Sequence, residues 1–466
     1  MSTLRTTTDR VITLSARQLA RYTDEDLRDI ESYFQPSAVL LTETNNLATR
    51  QRVVSAVEAP VVDVAEPGVT QLPRTTVVTV PELDDARDLL TREFEAPASV
   101  VADFIRQDID PNTFETTLTG LTEYEELVRE RSDITTHLVT TMPAGQQVTQ
   151  ADIPLYGAGF IQSMEGSKVP CITLGEMLHI EELDTTKVGL QAIPDIGWKM
   201  RQQLEGQGYL TRTDLLQANP VELLELDGFG PYYAARTTAG ARAIERDEPV
   251  RFIRNPLADR RRLFVDIETD SLQPQYIWQI GVYDDDAGDY HCFINDDEPG
   301  NEDVVIREFA EWTAENGDDA TFIAWYGKQF DFKHLTDFLD RHASTDQRAV
   351  WDTVEKFDLL LDFVKSGVAT PARSHKLAVV ASRLGYEFEY PHLSGAEAAQ
   401  AYTGWASGQR DMDWEMWISY CRDDVLAMKH VYDAITEAEL FIDKHELERA
   451  YRSSSSPTKV DDWGDP

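Results

Sequence analysis

The sequence predicts an α/β chain of several domains: a C-terminal sheet flanked by helices, a helical segment before it, and a small α/β domain in front. Three observations predict this. Leu263–Asp270 reads Leu-Phe-Val-Asp-Ile-Glu-Thr-Asp, an apolar run passing into acids as a buried strand with a polar end would. Residues 188–246 carry two similar glycine-containing pentads, each leading into a helical stretch. Residues 1–90 alternate strand-like and helix-like runs, as a parallel sheet with crossover helices requires.

At 466 residues the chain is long enough for two to four domains with full cores. It carries 83 acids against 43 Lys plus Arg, a formal charge of −40. The acids are spread along the chain, a pattern suited to solubility in a high-salt, halophilic cytoplasm. At molar salt the Debye length is about 3 Å, so net charge does not exclude a nucleic-acid partner. No apolar run of spanning length appears, so the expectation is a soluble cytoplasmic protein with no membrane partner. Cys171, Cys292 and Cys421 are scattered and odd in number, which fits neither a disulfide framework nor a zinc finger.

In chain order, residues 1–130 read as the front α/β domain. Its strands are expected at Val11–Leu14, Ala38–Leu41, Ala59–Ala65 and Thr75–Val80. Residues 91–180 read as mainly helical, and 131–187 as a helical connector. Gly157-Ala158-Gly159 begins like a dinucleotide fingerprint but has Gln162 where the third glycine belongs, and reads as a loop.

Within 188–250, Ile193-Pro194-Asp195-Ile196-Gly197 and Leu226-Asp227-Gly228-Phe229-Gly230 resemble the hairpins of a tandem helix-hairpin-helix domain. Such hairpins present backbone N–H groups at a helix N-terminus to a phosphate oxygen. The resemblance implies nucleic-acid contacts from Gly197, Gly228 and Gly230, with Lys199 and Arg236 nearby. Asp195 departs from the pattern, standing where the motif usually has its first glycine. Arg260-Arg261-Arg262 follows in a short linker and is read equally as a phosphate contact or as partners of nearby acids.

From Leu263 the order is strand, strand (Tyr276–Tyr283), strand (Tyr290–Ile294), helix (303–315) and strand (Thr321–Tyr326). Asp266 and Glu268 share one face of the first strand, with Ile267 turned to the core. Two desolvated carboxylates repel, and a divalent cation relieves that. Asp331 follows the fourth strand where a helix begins. Tyr420 and Asp424, four apart on a C-terminal helix, share a face, whereas Asp423 is splayed from Tyr420.

These three segments resemble, in order and spacing, the motifs of the DEDD exonuclease superfamily on an RNase H-like fold with a mixed sheet flanked by helices. The tyrosine four before the last aspartate is similar to the DEDDy branch. Asp358-Leu359-Leu360, Ser374-His375-Lys376-Leu377, Leu393-Ser394-Gly395 and Tyr402 resemble stretches of the YprB-type ribonuclease H-like family. The domain is expected over 260–446, with a disordered tail at 447–466. The whole order also resembles RecB-like nucleases with a C-terminal RNase H-like domain, although the front part lacks their Glu-x-Lys or Asp-x-Lys strand.

The resemblance implies a 3′-5′ exonuclease using two Mg²⁺ or Mn²⁺ ions roughly 3.5–4 Å apart. Asp266, Glu268, Asp331 and Asp424 would hold them, and Tyr420 would orient the attacking water. Tyr326 stands where the family's second motif usually has Asn, which points to a different contact with the terminal nucleotide, by stacking. Lys376 reads either as a phosphate contact or as a partner of surface acids. Single-stranded nucleic acid is the expected substrate, DNA favoured over RNA because helix-hairpin-helix domains bind duplexes. The alternatives are a non-catalytic nucleic-acid-binding protein, an endonuclease on the same fold, or a front domain carrying the main activity.

Overall fold

The computed structural model describes residues 8–454 apart from 43–45, 109–118, 151, 160, 164–165, 176–177, 258–259, 298, 302 and 392. The chain divides into two compact units, Met1–Ala192 and Ile193–Pro466.

The first unit holds two mixed sheets. In one, Arg10–Ser15, Ala38–Thr42 and Val61–Asp63 run parallel, joined through the helices Asp24–Phe34 and Leu47–Ala56. That is the βαβ pattern expected from the sequence. Gly166–Thr173 then pairs antiparallel with Arg10–Ser15 and also with His179–Asp184. The second sheet runs in the order Gly68–Gln71, Thr76–Thr79, Ala98–Val101, Ile134–Pro143, Ile153–Gly159, Gln147–Gln150. Val11, Leu40 and Val62 of the first sheet and Val77, Val101 and Leu138 of the second meet in one buried cluster.

The helical connector expected over 131–187 is therefore corrected, and with it the mainly helical reading of 91–180. Among the described residues 131–187 supply six strands, which complete both sheets. The cause is composition: Ile134-Thr135-Thr136-His137-Leu138-Val139-Thr140-Thr141 is rich in β-branched residues, which lose little freedom on a pleated surface and more in a helix. Gly157 and Gly159 lie in a strand, not a loop. A Cβ there would come within 1.9 Å of Pro143 O and 2.2 Å of Thr140 O, so close strand approach demands glycine.

In the second unit, short helices and turns over 193–224 lead to a long helix, Pro231–Arg246. Its inner face, Ala234 to Ala243, is buried. The strand Val250–Arg251 pairs with Val368–Ala369 and Glu439–Leu440, tying this region to the domain that follows.

That domain is built on five strands in the order Asp289–Ile294, Ile277–Asp284, Arg261–Thr269, Ala320–Ala324, Glu355–Asp358. The first three are antiparallel and the last three parallel. Strand alternation divides the central strand cleanly. Leu263, Val265 and Ile267 enter one core with the helices Asp303–Asn316, Asp331–His342 and Thr345–Thr353. Phe264 enters the other, with Val425, Met428 and Tyr432 of the helix Trp414–Glu437. Asp266 and Glu268 belong to the Phe264 face. The tail expected from 447 is corrected as far as Ser454, because Lys444–Ser454 is helical. Residues 455–466 lie outside the described residues. No helix among the described residues is long and apolar enough to cross a membrane.

Candidate active site

The central strand carries Asp266 opposite Gly281 and Glu268 opposite Gln279 of its antiparallel neighbour. Asp331 is the first residue of its helix and is 4 % exposed. Its carboxylate accepts backbone N–H groups of Ile267 and of Asp331 itself, which locks it against the central strand. Asp424 comes from the helix Trp414–Glu437, where the Tyr420 hydroxyl donates to it across one turn. The adjacent Asp423 is committed elsewhere, accepting from Tyr386 Oη at 2.6 Å and Glu389 N at 2.7 Å. The structure thus separates the two neighbouring aspartates by their partners.

Asp266 and Glu268 feel the charges of Asp331 and Asp424. Burial raises all four, and repulsion from neighbouring acids adds to it. Asp266 is pushed well above its usual range by burial and then by Asp331, Asp424 and Glu268; Glu268 likewise by burial, Asp424 and Asp331. Asp331 and Asp424 each rise to about 7, burial again being the main cause. Among the described residues no cationic side chain offsets these charges. Tyr420 is driven above its ordinary 10 by burial and by Asp424, so its hydroxyl keeps its proton at any physiological pH.

Tyr420 stands against Trp417, ring centroids 5.6 Å apart, at the edge of an aromatic cluster. In that cluster Tyr402 stacks on Trp278 at 5.3 Å and 4°. Ser394 caps the helix Gly395–Ala406 that delivers Tyr402. Asp358, fully buried at the end of its strand, accepts from Lys328 N at 3.0 Å and Leu361 N at 2.8 Å. It thereby fixes the loop between the fourth strand and Asp331. Tyr326 opens that loop at φ +63° and is 44 % exposed. A bulky residue at positive φ costs on the order of 1–2 kcal/mol, so Tyr326 is an exposed, strained aromatic in the loop that leads to Asp331. Lys376 is exposed, with no ion pair among the described residues.

The two pentads have matching backbones. Asp195 (φ +68°) and Gly228 (φ +81°) occupy the same left-handed place, two residues before Gly197 and Gly230, which cap the helices Trp198–Gly206 and Pro231–Arg246. Asp can adopt that conformation at modest cost, which explains the departure at 195. Arg236, expected near a phosphate, is corrected. It is 1 % exposed, its Nε lies 2.8 Å from Asp195 Oδ2 and its Nη1 donates to Lys365 O at 3.2 Å. Lys199 is exposed. The three linker arginines pair with Glu355, Asp284 and Asp285 in turn, which favours the second of their two readings.

Sequence reasoning missed Cys421, whose Sγ donates to Asp266 Oδ2 at 3.8 Å. It also missed Gly281, where a Cβ would come within 2.8 Å of that sulfur. Strand register sets Gly281 beside Asp266 and the packing of the helix Trp414–Glu437 on the sheet brings Cys421 over them, neither of which a single sequence displays.

A family model of the RNase H superfamily, RNase_H_2, matches residues 263–436, so the C-terminal domain is RNase H-like. No curated protein matches the chain. Among solved structures, "GAP50 the anchor in the inner membrane complex of Plasmodium" overlaps 39 % of this chain and 85 % of its own, at 9 % identity and a TM-score of 0.24. A superposition that loose carries no argument.

Proposed function

We propose that the RNase H-like domain is a divalent-metal nuclease that removes nucleotides from the 3′ end of single strands, with residues 193–246 acting as a tandem helix-hairpin-helix that holds longer nucleic acid. The observation that carries the reading is Asp266 and Glu268 on one strand face, charge-coupled to Asp331 and Asp424, with no ion-pair partner for any of them among the described residues. Oxygen donors suit Mg²⁺ or Mn²⁺, and two buried and two half-buried acids with no ion-pair partner among the described residues fit such ions well. Asp266, Glu268, Asp331 and Asp424 would hold two of them. When bound they would stabilise charge on the attacking and leaving oxygens of an in-line displacement.

The protein's own side chains supply orientation. Tyr420 Oη, proton retained, is a hydrogen-bond donor and positioner, not a base. Asp331, held by two backbone N–H groups, keeps its oxygens fixed while the others adjust. Tyr326 offers a ring on which a terminal base can stack.

Tyr420→Phe should keep metal and substrate affinity, because the ring stays in its aromatic seat, yet turn over on the order of 10²-fold more slowly. The decisive assay uses end-labelled linear DNA and RNA, with free or blocked 3′ ends, beside circular single strands, in molar KCl with Mg²⁺ or Mn²⁺. Mononucleotides from free 3′ ends only are expected. Cleavage of circles, or indifference to the block, means an endonuclease instead.

The hairpin reading has separate support. Gly197 and Gly230 have ordinary φ of −79° and −76°, and a Cβ on either would meet nothing within 4 Å. Neither backbone conformation nor packing requires glycine there, and neither helix N-terminus has a side-chain cap. The open first-turn N–H groups suit an external anion. Replacing both glycines by Asp should stabilise the fold by a few tenths of a kcal/mol, since Asp caps better than Gly. It should also weaken binding of long duplexes by about tenfold or more, by placing negative charge where a phosphate would sit. Unchanged affinity in a filter or anisotropy titration would leave these hairpins as spacers. Point variants are the appropriate test, because removing 188–246 would strip the buried helix Pro231–Arg246 from its packing.

A further inference from the structure

One thiol lies inside the acid cluster. Cys421 follows Tyr420 on the same helix, so it is turned about a third of a circle away, toward the sheet. It is fully buried, over Gly281, with Sγ 3.8 Å from Asp266 Oδ2. One donor atom each from Asp266, Glu268 and Cys421 lie within 4.8 Å of one another. Around a tetrahedral cation with bonds of about 2.0–2.3 Å, ligand atoms stand roughly 3.3–3.8 Å apart. Closure therefore needs shifts of about 1 Å, within reach of side-chain rotation. A second observation points the same way. Gln279, directly opposite Glu268 and on the same sheet face, is 0 % exposed. Its Nε2 donates to Cys292 Sγ at 3.7 Å, while its Oε1 has no partner. The Tyr290 hydroxyl stands beside Cys421 over Gly281, also buried without a partner, and among the described residues no ion pair reaches Asp266 or Glu268.

We propose that Asp266, Glu268 and Cys421 form a mixed oxygen–sulfur site that takes a thiophilic divalent cation of the Co²⁺ or Zn²⁺ class more tightly than Mg²⁺. The inference rests on reading the acid cluster as a metal site, but not on the direction or substrate of hydrolysis. Thiolate ligands select softer cations, whereas Mg²⁺ gains nothing from sulfur. Binding is a proton exchange without redox change: the thiol proton leaves to solvent as the metal–sulfur bond forms. A softer ion held this way would bring a third ligand that Mg²⁺ does not use, so the metal supplied would set which ligands are engaged.

The test adds Co²⁺ to metal-free full-length protein and follows the near-ultraviolet absorption that a cobalt–thiolate bond produces. Calorimetry measures Co²⁺ and Mg²⁺ binding in parallel. Expected are an absorption band saturating with the tight calorimetric phase, its loss in Cys421→Ser, and its retention in Cys292→Ala. Circular dichroism checks that both variants fold, and Cys421→Ala serves if Cys421→Ser does not. Co²⁺ affinity should fall at least tenfold in the Cys421 variant while Mg²⁺ affinity changes less than twofold. Tight Co²⁺ binding without the band, or a band surviving in the Cys421 variants, overturns the sulfur ligand and leaves the metal-site reading standing. No binding of either ion overturns both.

Discussion

Asp266→Asn and Asp424→Asn should each remove nuclease activity while leaving the metal-free protein folded and more stable. Both substitutions keep side-chain shape and delete a charge. Each acid is raised by burial and by its neighbours' repulsion, so removing one charge relieves the remaining carboxylates when no cation is present. With metal the sign reverses, since the deleted oxygen charge was a ligand. Loss of several kcal/mol of charge stabilisation corresponds to roughly 10³-fold or more in turnover. Melting curves in EDTA and single-turnover hydrolysis in Mg²⁺ check the two halves. Wild-type hydrolysis in both variants would move the active site elsewhere. Active-site loss with a collapsed fold would instead mean that the acids serve structure.

Much of this site was legible because its chemistry sits on periodic elements. Asp266 and Glu268 alternate with apolar residues on a strand, and Tyr420 and Asp424 are one helical turn apart, so each pair declares its shared face. Asp331 was legible as the residue where an apolar strand gives way to a helix. The remainder depends on neighbours brought together by register and turns. Arg236 looked available beside a hairpin, yet the left-handed turn at Asp195 brings a carboxylate to it from 41 positions earlier (236 minus 195). Cys421 became part of the cluster only because Gly281 leaves room beneath it. In the first unit the error was one of period. Residues 134–141 alternate poorly, since a strand buried on both faces loses the polar–apolar rhythm that marks a half-exposed one. Their β-branched content was the better guide.

The burial of these acids, with repulsion from their neighbours, fixes how stability should depend on pH. In the unfolded chain Asp331 and Asp424 titrate near their ordinary 3.8, but in the folded protein near 7. Between those values the folded state holds protons that the unfolded state has released, so the free energy of unfolding falls as pH rises. For Asp331 alone the rise from 3.8 to about 7 is worth on the order of 4 kcal/mol across the window. Asp133, Asp214 and Asp284, whose carboxyls are held low by hydrogen bonds or by Arg131 and Arg261, act oppositely, but only as pH falls below about 4. Across pH 5 to 8 the metal-free protein should therefore be most stable at pH 5 and lose stability steadily toward pH 8. Mg²⁺ takes the place of the missing protons, so the stabilisation it gives should be small at pH 5 and grow with pH. Asp331→Asn should flatten the metal-free profile, because its amide cannot ionise. Thermal melts in molar KCl with EDTA or excess Mg²⁺, at intervals from pH 5 to 8, read all three. A metal-free melting temperature that rises with pH, or a Mg²⁺ increment independent of pH, would show that these carboxylates do not share one desolvated site.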